Sequence, residues 1–259
     1  MQNELVAYQH CPLCSGDNNR LHKAADCSIS PRYDAALSST INWMICEDCS
    51  HQFRSGYYTP EALSIVFKRT NQNQMVGYDI EGQRRVSSQM IEKILPYQDS
   101  GRWLDVGFGN GSLLFTAEEY GFYPVGLDLR PDTVASFRQI GMPAYCQDVM
   151  DHDPEIPYAV VSMADVLEHM PYPKAALKKV NSIMEERGAL FLSMPNADCF
   201  AWKVLDQLGK NPFWSEIEHY HNFGRRRLYK LLEETGFQVV RYGISERYRL
   251  CMEVVAIKD

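Results

Sequence analysis

What this chain lacks narrows its roles first. No apolar run approaches the ~18 residues of a membrane-spanning helix, and the opening MQNELVAYQHC is not a secretory leader. Both absences lead to the expectation of a cytoplasmic protein with no membrane partner. Basic charge is in the minority, with 26 Lys and Arg against 33 Asp and Glu, for a net charge of -7. Binding nucleic acid through its phosphates generally needs a basic face. The one basic cluster, Arg225-Arg226-Arg227, opens a helix and reads as solvated surface, so a nucleic-acid partner is disfavoured. Nothing in the sequence indicates an oligomeric state. What is present is ordinary for a globular protein: 45% apolar and 23% charged residues over 259 positions, enough for one large or two modest domains.

The eight cysteines divide into two kinds. Cys11-Pro12-Leu13-Cys14 and Cys46-Glu47-Asp48-Cys49 are two C-x2-C pairs with 31 residues between them. Each pair fits a tight turn that aims two thiolates at one point, and two such turns complete a tetrahedral Zn2+ site. Four thiolates saturate the metal, so the expected zinc is structural, standing in for a core that so short a module lacks. His10 and His51 flank the turns but are not needed as ligands. The other four, Cys27, Cys146, Cys199 and Cys251, are scattered, three of them in apolar surroundings, and read as small core hydrophobes, not disulfides.

The most informative stretch is RWLDVGFGNGSLL, Arg102 to Leu114. A short apolar strand runs into Gly107, Gly109 and Gly111, and then into the start of a helix. Glycines there let the backbone turn sharply and approach a ligand, and the helix directs its free N–H groups into the turn. Dinucleotide sites share this plan, but here Ser112 stands where their third glycine falls, and Asp105 ends the strand two residues before the first glycine. A carboxylate at that point repels a pyrophosphate and suits a cationic amine. S-adenosylmethionine has an α-ammonium and no phosphate, so D-x-G-x-G-x-G is the arrangement expected for it.

On these residues the chain resembles the class I S-adenosylmethionine-dependent methyltransferases. Within them it is most similar to the broad group that shares an E-H-x-x-x-F segment, here Glu218-His219-Tyr220-His221-Asn222-Phe223. The resemblance covers roughly residues 80–259, with the zinc module beside it. It implies an α/β fold: a Rossmann-like, seven-stranded, doubly wound sheet with a small N-terminal zinc-ribbon domain. The expected division is a ribbon over 1–57, a helical linker covering the cofactor over 58–98, and a cofactor-binding domain over 99–259 with a lid insertion near 198–224.

From Gly101 onward strands and helices alternate, as a parallel sheet requires. YPVGLDL ends in Asp128, about twenty residues past the glycine turn, where an acid accepts both ribose hydroxyls. That role is shared with dinucleotide folds, so it supports an adenosine ligand without identifying it. AYCQDV delivers Asp148 to the next strand tip. The resemblance assigns such an acid to the adenine amine, with the backbone of Val149 nearby; a turn cap is the alternative. It also implies contacts from Leu129, Ala164 and Tyr78, with Arg84 as a further candidate. YAVVSMADVLEHMPYP brings Asp165, Glu168 and His169 to the edge where ligands gather. His169 reads either as a base or as a cap of the next helix.

Methyl transfer needs alignment of the acceptor and, where the acceptor carries one, removal of a proton. His219 is the first choice for that base, since an unperturbed imidazole titrates near working pH, with Glu218, His221 and His169 as the other candidates. EHYHNF is similar to a segment of sugar C-methyltransferases. It departs from them in having Ile217 where they carry a histidine, and a chain ending at Asp259 is expected to have no room for their further domain. The expected acceptor is therefore a small hydroxyl- or amine-bearing metabolite, with a sugar or sugar nucleotide among the candidates and S-adenosylhomocysteine as the other product. Two rival readings remain. A non-catalytic cofactor-binding scaffold would have no need to keep Asp105, the three glycines and Asp128. An RNA methyltransferase using the ribbon as a clamp would call for the opposite charge, and no D/N-P-P-Y string for base amines is present.

Overall fold

A computed structural model of the chain describes residues 4–67, 72–245, 247, 248 and 250–259. The first three residues of the opening segment lie outside the described residues. The elements begin with strands β1 (Leu5–Ala7), β2 (Asn19–Asp26), β3 (Thr40–Cys46), β4 (Gln52–Arg54) and β5 (Gly56–Tyr58), then helices α1 (Pro60–Phe67) and α2 (Ile80–Ile94). Alternation follows: β6 (Gly101–Val106), α3 (Ser112–Glu119), β7 (Phe122–Asp128), α4 (Pro131–Gln139), β8 (Ala144–Cys146), β9 (Tyr158–Ala164), α5 (Pro173–Ser182) and β10 (Met184–Pro195). The chain closes with α6 (Phe200–Gln207), β11 (His221–Asn222), α7 (Arg225–Glu233), β12 (Phe237–Ile244) and β13 (Cys251–Lys258).

These elements form two compact units. One combines residues 71–167, 175–194 and 232–259. It carries the expected seven-stranded sheet, in the order β12-β13-β10-β9-β6-β7-β8. The strands β10, β9, β6, β7 and β8 run parallel, and β12 and β13 form an antiparallel pair. Strands such as Tyr158–Ala164 are buried along almost their whole length, which is why they read as unbroken apolar runs instead of alternating ones. In α2 the buried positions Ser87, Met90, Ile91 and Ile94 follow the helical repeat and make one packing face. Trp103, Phe122, Phe137 and Phe191 fill the core, with Trp103 and Phe122 edge to face at 4.9 Å. Because β7 and β8 continue to one side of β6 while β9 and β10 lie on the other, the direction of winding reverses between β6 and β9. Ligands collect at the carboxyl ends of strands beside such a reversal.

The other unit combines residues 1–70, 168–174 and 195–231. It holds an antiparallel sheet in the order β11-β4-β3-β2 and a separate pair, β1-β5. The hairpin β2–β3 lies between the two cysteine turns, and β11 arrives from far along the chain to set His221 opposite Phe53. Three aromatic residues of the stretch 198–224 are core here: Trp202, Trp214 and Tyr220 are buried with Trp43 and Tyr58, while Phe200 is exposed. The Trp43 indole N–H donates to the carbonyl of Trp214 at 2.8 Å, which satisfies both groups in an apolar setting. Among the described residues no helix is long and apolar enough to cross a membrane.

Candidate functional site

The two cysteine turns have matching backbones. In each, the N–H of the first cysteine donates to the carbonyl five residues on (Cys11 to Gly16, Cys46 to His51). The N–H four residues on returns the bond (Ser15 to Cys11, Ser50 to Cys46). Ser15 and Ser50, the residues after each second cysteine, both take left-handed conformations, with φ 59° and 61°. The result is that four thiol sulfurs converge within 4.8 Å of one another. Cys11 and Cys49 are 3.7 Å apart at sulfur, and Cys14 and Cys46 3.6 Å. A disulfide would bring sulfurs to about 2.05 Å. The edge of a tetrahedron with Zn–S bonds near 2.3 Å is about 3.8 Å, so the donor set fits zinc in number, chemistry and spacing.

In the unit that carries the seven-stranded sheet, the glycine turn has the conformation its composition requires. Gly107, Gly109 and Gly111 have φ of 70°, 56° and 78°. A Cβ on Gly107 would lie 2.8 Å from Val166, and one on Gly111 2.6 Å from Phe137, so neither position accepts a larger residue without displacement. Asp105, at the tip of β6, is buried. Its Oδ1 accepts from the Ser162 hydroxyl at 2.6 Å, and that hydroxyl in turn accepts from the Trp103 indole N–H at 2.8 Å. No described cation lies within ion-pair distance of Asp105. Burial pushes its carboxyl up to about 7, against the lowering effects of the Ser162 hydrogen bond and of the Arg247 charge.

Asp128 ends β7, is buried, and is held on both oxygens. Oδ1 accepts from the backbone and Nε of Arg130, each at 2.9 Å. Oδ2 accepts from the Arg130 guanidinium at 2.7 Å and from the Gly109 N–H at 3.3 Å. Arg130 also donates to the Gln74 side chain at 3.2 Å. Asp148 is half-buried and caps the short turn of helix Val149–Asp151 by accepting from the Met150 N–H. Val149 is buried, Ala164 ends β9 half-buried, and Leu129 and Tyr78 are exposed. Arg84 pairs with Glu119 at the surface. Sequence reasoning missed Ser162, Arg130 and Arg247. Only Arg130 left a signal, since it stands two residues after Asp128, within reach of a local side-chain turn.

In the ribbon-bearing unit the histidine candidates separate by their partners. His221 is spoken for at both nitrogens: Nε2 is 2.9 Å from the carbonyl of Met170 and Nδ1 3.0 Å from His51 Nε2. A carbonyl only accepts, so His221 donates from Nε2 and receives the His51 proton at Nδ1. His169 donates from Nδ1 to the carbonyl of Glu218 at 2.9 Å, and burial holds its imidazole down at about 3. His219 is buried, edge to face with His169 at 4.8 Å and stacked on Phe213 at 6.1 Å. Its Nδ1 has no hydrogen-bond partner among the described residues. Burial, reinforced by His169 and Arg32, keeps its pKa well below the ordinary range, so it stays neutral. The Glu218 carboxylate forms an ion pair with Arg32. Glu168, His169 and His219 converge closely enough to suggest a second metal centre. The Arg32 charge felt by both imidazoles argues against placing a dication there.

A family described as a methyltransferase domain matches residues 78–242. A ubiquinone biosynthesis O-methyltransferase from Proteus mirabilis is 34% identical over 110 residues, covering 39% of this chain and 45% of that protein. Its counterpart from Aliivibrio fischeri is 30% identical over 147 residues, covering 52% of this chain and 63% of that protein. The chain spans about half the length of the curated relatives it matches. Among solved structures, a magnesium protoporphyrin IX methyltransferase from Synechocystis PCC 6803 with bound S-adenosylhomocysteine superposes with a TM-score of 0.56. It is 20% identical and covers 74% of this chain and 93% of its own. An amino pentose methyltransferase from Micromonospora echinaspora superposes at 0.54 with 15% identity, covering 70% and 94%. At such identities the likeness is one of fold.

Proposed function

We propose that this chain, which belongs to the family of class I S-adenosylmethionine-dependent methyltransferases, transfers a methyl group to a small hydroxyl- or amine-bearing acceptor. One observation carries the reading. Asp105 is a buried carboxylate at the strand tip beside the glycine turn, paired with no described cation and raised by burial to about 7. A group so placed is costly to ionise unless a cation arrives with the ligand, and an α-ammonium is such a cation.

When bound, S-adenosylmethionine supplies a methyl group on a positively charged sulfur. In this reading Asp105 holds the ammonium, Asp128 accepts the ribose hydroxyls in place of the Arg130 guanidinium that now fills its oxygens, and Asp148 with the Val149 backbone receives the adenine edge. Gly107, Gly109 and Gly111 keep the turn open, and Ala164, Leu129 and Tyr78 supply the remaining contacts. His219 is the assigned base on the strength of its Nδ1, which has no partner among the described residues. Burial and the Arg32 charge hold its pKa well below the ordinary range, against the sequence expectation of an unperturbed imidazole, and weaken it in that role. Glu218, held by Arg32, is a positioning group. Cys11, Cys14, Cys46 and Cys49 hold a structural zinc that cross-links the ribbon. Phenols are the first acceptor class to try, given the names of the ubiquinone-pathway relatives, and sugars or sugar nucleotides the second, given the amino pentose enzyme.

Isothermal titration with S-adenosylhomocysteine, followed by a methyl-transfer screen over phenols, sugar nucleotides and small amines, tests this. Micromolar binding and turnover on one class are expected. Absence of binding would overturn the cofactor reading, and binding without turnover on any class would leave the non-catalytic scaffold.

A further inference from the structure

An amino-acid headgroup is a zwitterion, and Asp105 answers only half of it. The ammonium and carboxylate sit on one carbon, so whatever receives the carboxylate must stand close enough to Asp105 to feel its charge without being neutralised by it. The basic residues near the strand tips can be taken in turn. Arg130 is engaged by both oxygens of Asp128. Arg84 pairs with Glu119 at the surface. Arg102 lies at the other end of β6, over the Tyr158 ring at 4.5 Å. Arg247, in the turn between β12 and β13, remains.

Arg247 is largely withdrawn from solvent, and its guanidinium sits 3.2 Å from Asp165 Oδ2. Asp165 is itself an outlier: directly after β9, with φ 58°, it takes a left-handed conformation that a non-glycine residue adopts at some cost. It is fixed there by two bonds to Ser193 at the end of β10. Its N–H donates to the Ser193 carbonyl at 2.8 Å, and its Oδ1 accepts from the Ser193 hydroxyl at 3.2 Å. The pair therefore stands at the reversal point of the sheet, and the Arg247 charge acts on Asp105 as well. A guanidinium has five donors, and among the described residues the only acid in ion-pair reach is Asp165.

We infer that Arg247 binds the α-carboxylate of the cofactor's methionine half, with Asp165 as the residue that positions it. The two acids and one arginine then form a template for a zwitterion: Asp105 for its positive end, Arg247 for its negative end, and Asp165 to aim the arginine. The inference rests on the cofactor reading above.

Calorimetry on the full chain tests it, with two probes that differ only in the carboxylate: S-adenosylhomocysteine and its decarboxylated analogue, 5′-(3-aminopropylthio)adenosine. The wild type should prefer S-adenosylhomocysteine by about ten- to a hundredfold, the range of a hydrogen bond between charged groups. Arg247→Met should lose that preference by binding S-adenosylhomocysteine more weakly while holding the analogue as before. Arg247→Lys should keep part of it. Equal weakening of both probes, or no change in either, overturns the assignment. So does unchanged S-adenosylhomocysteine affinity with a raised acceptor KM, which would make Arg247 an acceptor residue. If Arg247→Met leaves Asp165 uncompensated and unfolds, the double variant Asp165→Asn/Arg247→Met removes both charges and must show the same loss of preference. A wild type that binds neither probe would instead sink the cofactor reading.

Discussion

The two units bury polar groups in opposite ways. In the unit with the seven-stranded sheet, the interior is a continuous apolar layer contributed by long parallel strands and by helices that present one face to them. Its few buried acids stand at strand tips or are paired, as Glu253 is with Lys93. In the ribbon-bearing unit the strands are mostly short, and beside its aromatic core a cluster of polar residues is buried: His51, Arg54, His219, His221 and Asn222. Arg54 is satisfied by the carbonyl of Ile217 at 2.8 Å and the Tyr58 hydroxyl at 3.2 Å; His51 donates from Nε2 to His221, while its Nδ1 has no partner among the described residues. An apolar layer here holds one carboxylate, Asp105, with no described cation beside it. The ribbon-bearing unit buries several polar groups together, some of them, such as His51 Nδ1 and the Asn222 amide, with no hydrogen-bond partner among the described residues, and its short strands rely on a cross-link.

That contrast can be broken, and the largest effect should come from the metal. Chelation, or Cys46→Ser, should unfold the ribbon first, because metal binding in such small modules supplies about 10 kcal/mol or more. Loss of ribbon amide signals in two-dimensional NMR while those of the seven-stranded sheet persist is the expected result; unchanged ribbon signals would count against a structural zinc. Next, His219→Gln should lower the methyl-transfer rate by roughly 10²–10⁴-fold with S-adenosylhomocysteine affinity intact. A rate within a few-fold of wild type would remove His219 as the base.

Asp105→Asn should weaken S-adenosylhomocysteine about a hundredfold. The melting temperature should hold or rise, since a buried charge is exchanged for an amide of the same shape; wild-type affinity would contradict the ammonium assignment. A pH series on the wild type reads the same group. Burial raises the Asp105 carboxyl to about 7 in the free protein, and only the ionised form receives an ammonium. Affinity should be full above that pH and fall about tenfold per unit below it. A flat profile from pH 8 to 5 would mean that Asp105 does not titrate on binding. The smallest change is Trp43→Phe, which leaves the buried Trp214 carbonyl without its donor. A loss of about 1–3 kcal/mol in the ribbon-bearing unit, seen by thermal denaturation with cofactor affinity unaltered, would sharpen the comparison.

Much of this was legible along the chain. Local chemistry dictates the glycine turn, since a positive φ and a close neighbour leave room only for glycine at 107 and 111. Spacing alone nominates the four cysteines, because a C-x2-C turn holds both sulfurs whatever surrounds it. The alternation of apolar strands and amphipathic helices carries the sheet, and Asp105 and Asp128 announce themselves by standing at the ends of apolar runs.

Only the tertiary structure decided which partners those residues meet. Residues 168–174 and 195–231 fold with the first seventy, a union of segments that no local pattern records. The three histidines of the 169–221 region look equivalent in the sequence. Contacts distant along the chain, from His51, Met170 and Glu218, separate His221, engaged at both nitrogens, from His169, engaged at Nδ1, and from His219, whose Nδ1 has no partner among the described residues. Likewise Arg247 carries no motif, and its pairing with Asp165 follows from a hairpin turn meeting a strand tip 82 residues earlier in the chain. Conformational preference and ligand spacing are short-range properties that a sequence states outright. Burial, proton position and ion pairing depend on which distant groups share a low-dielectric space, and that is settled only when the chain has folded.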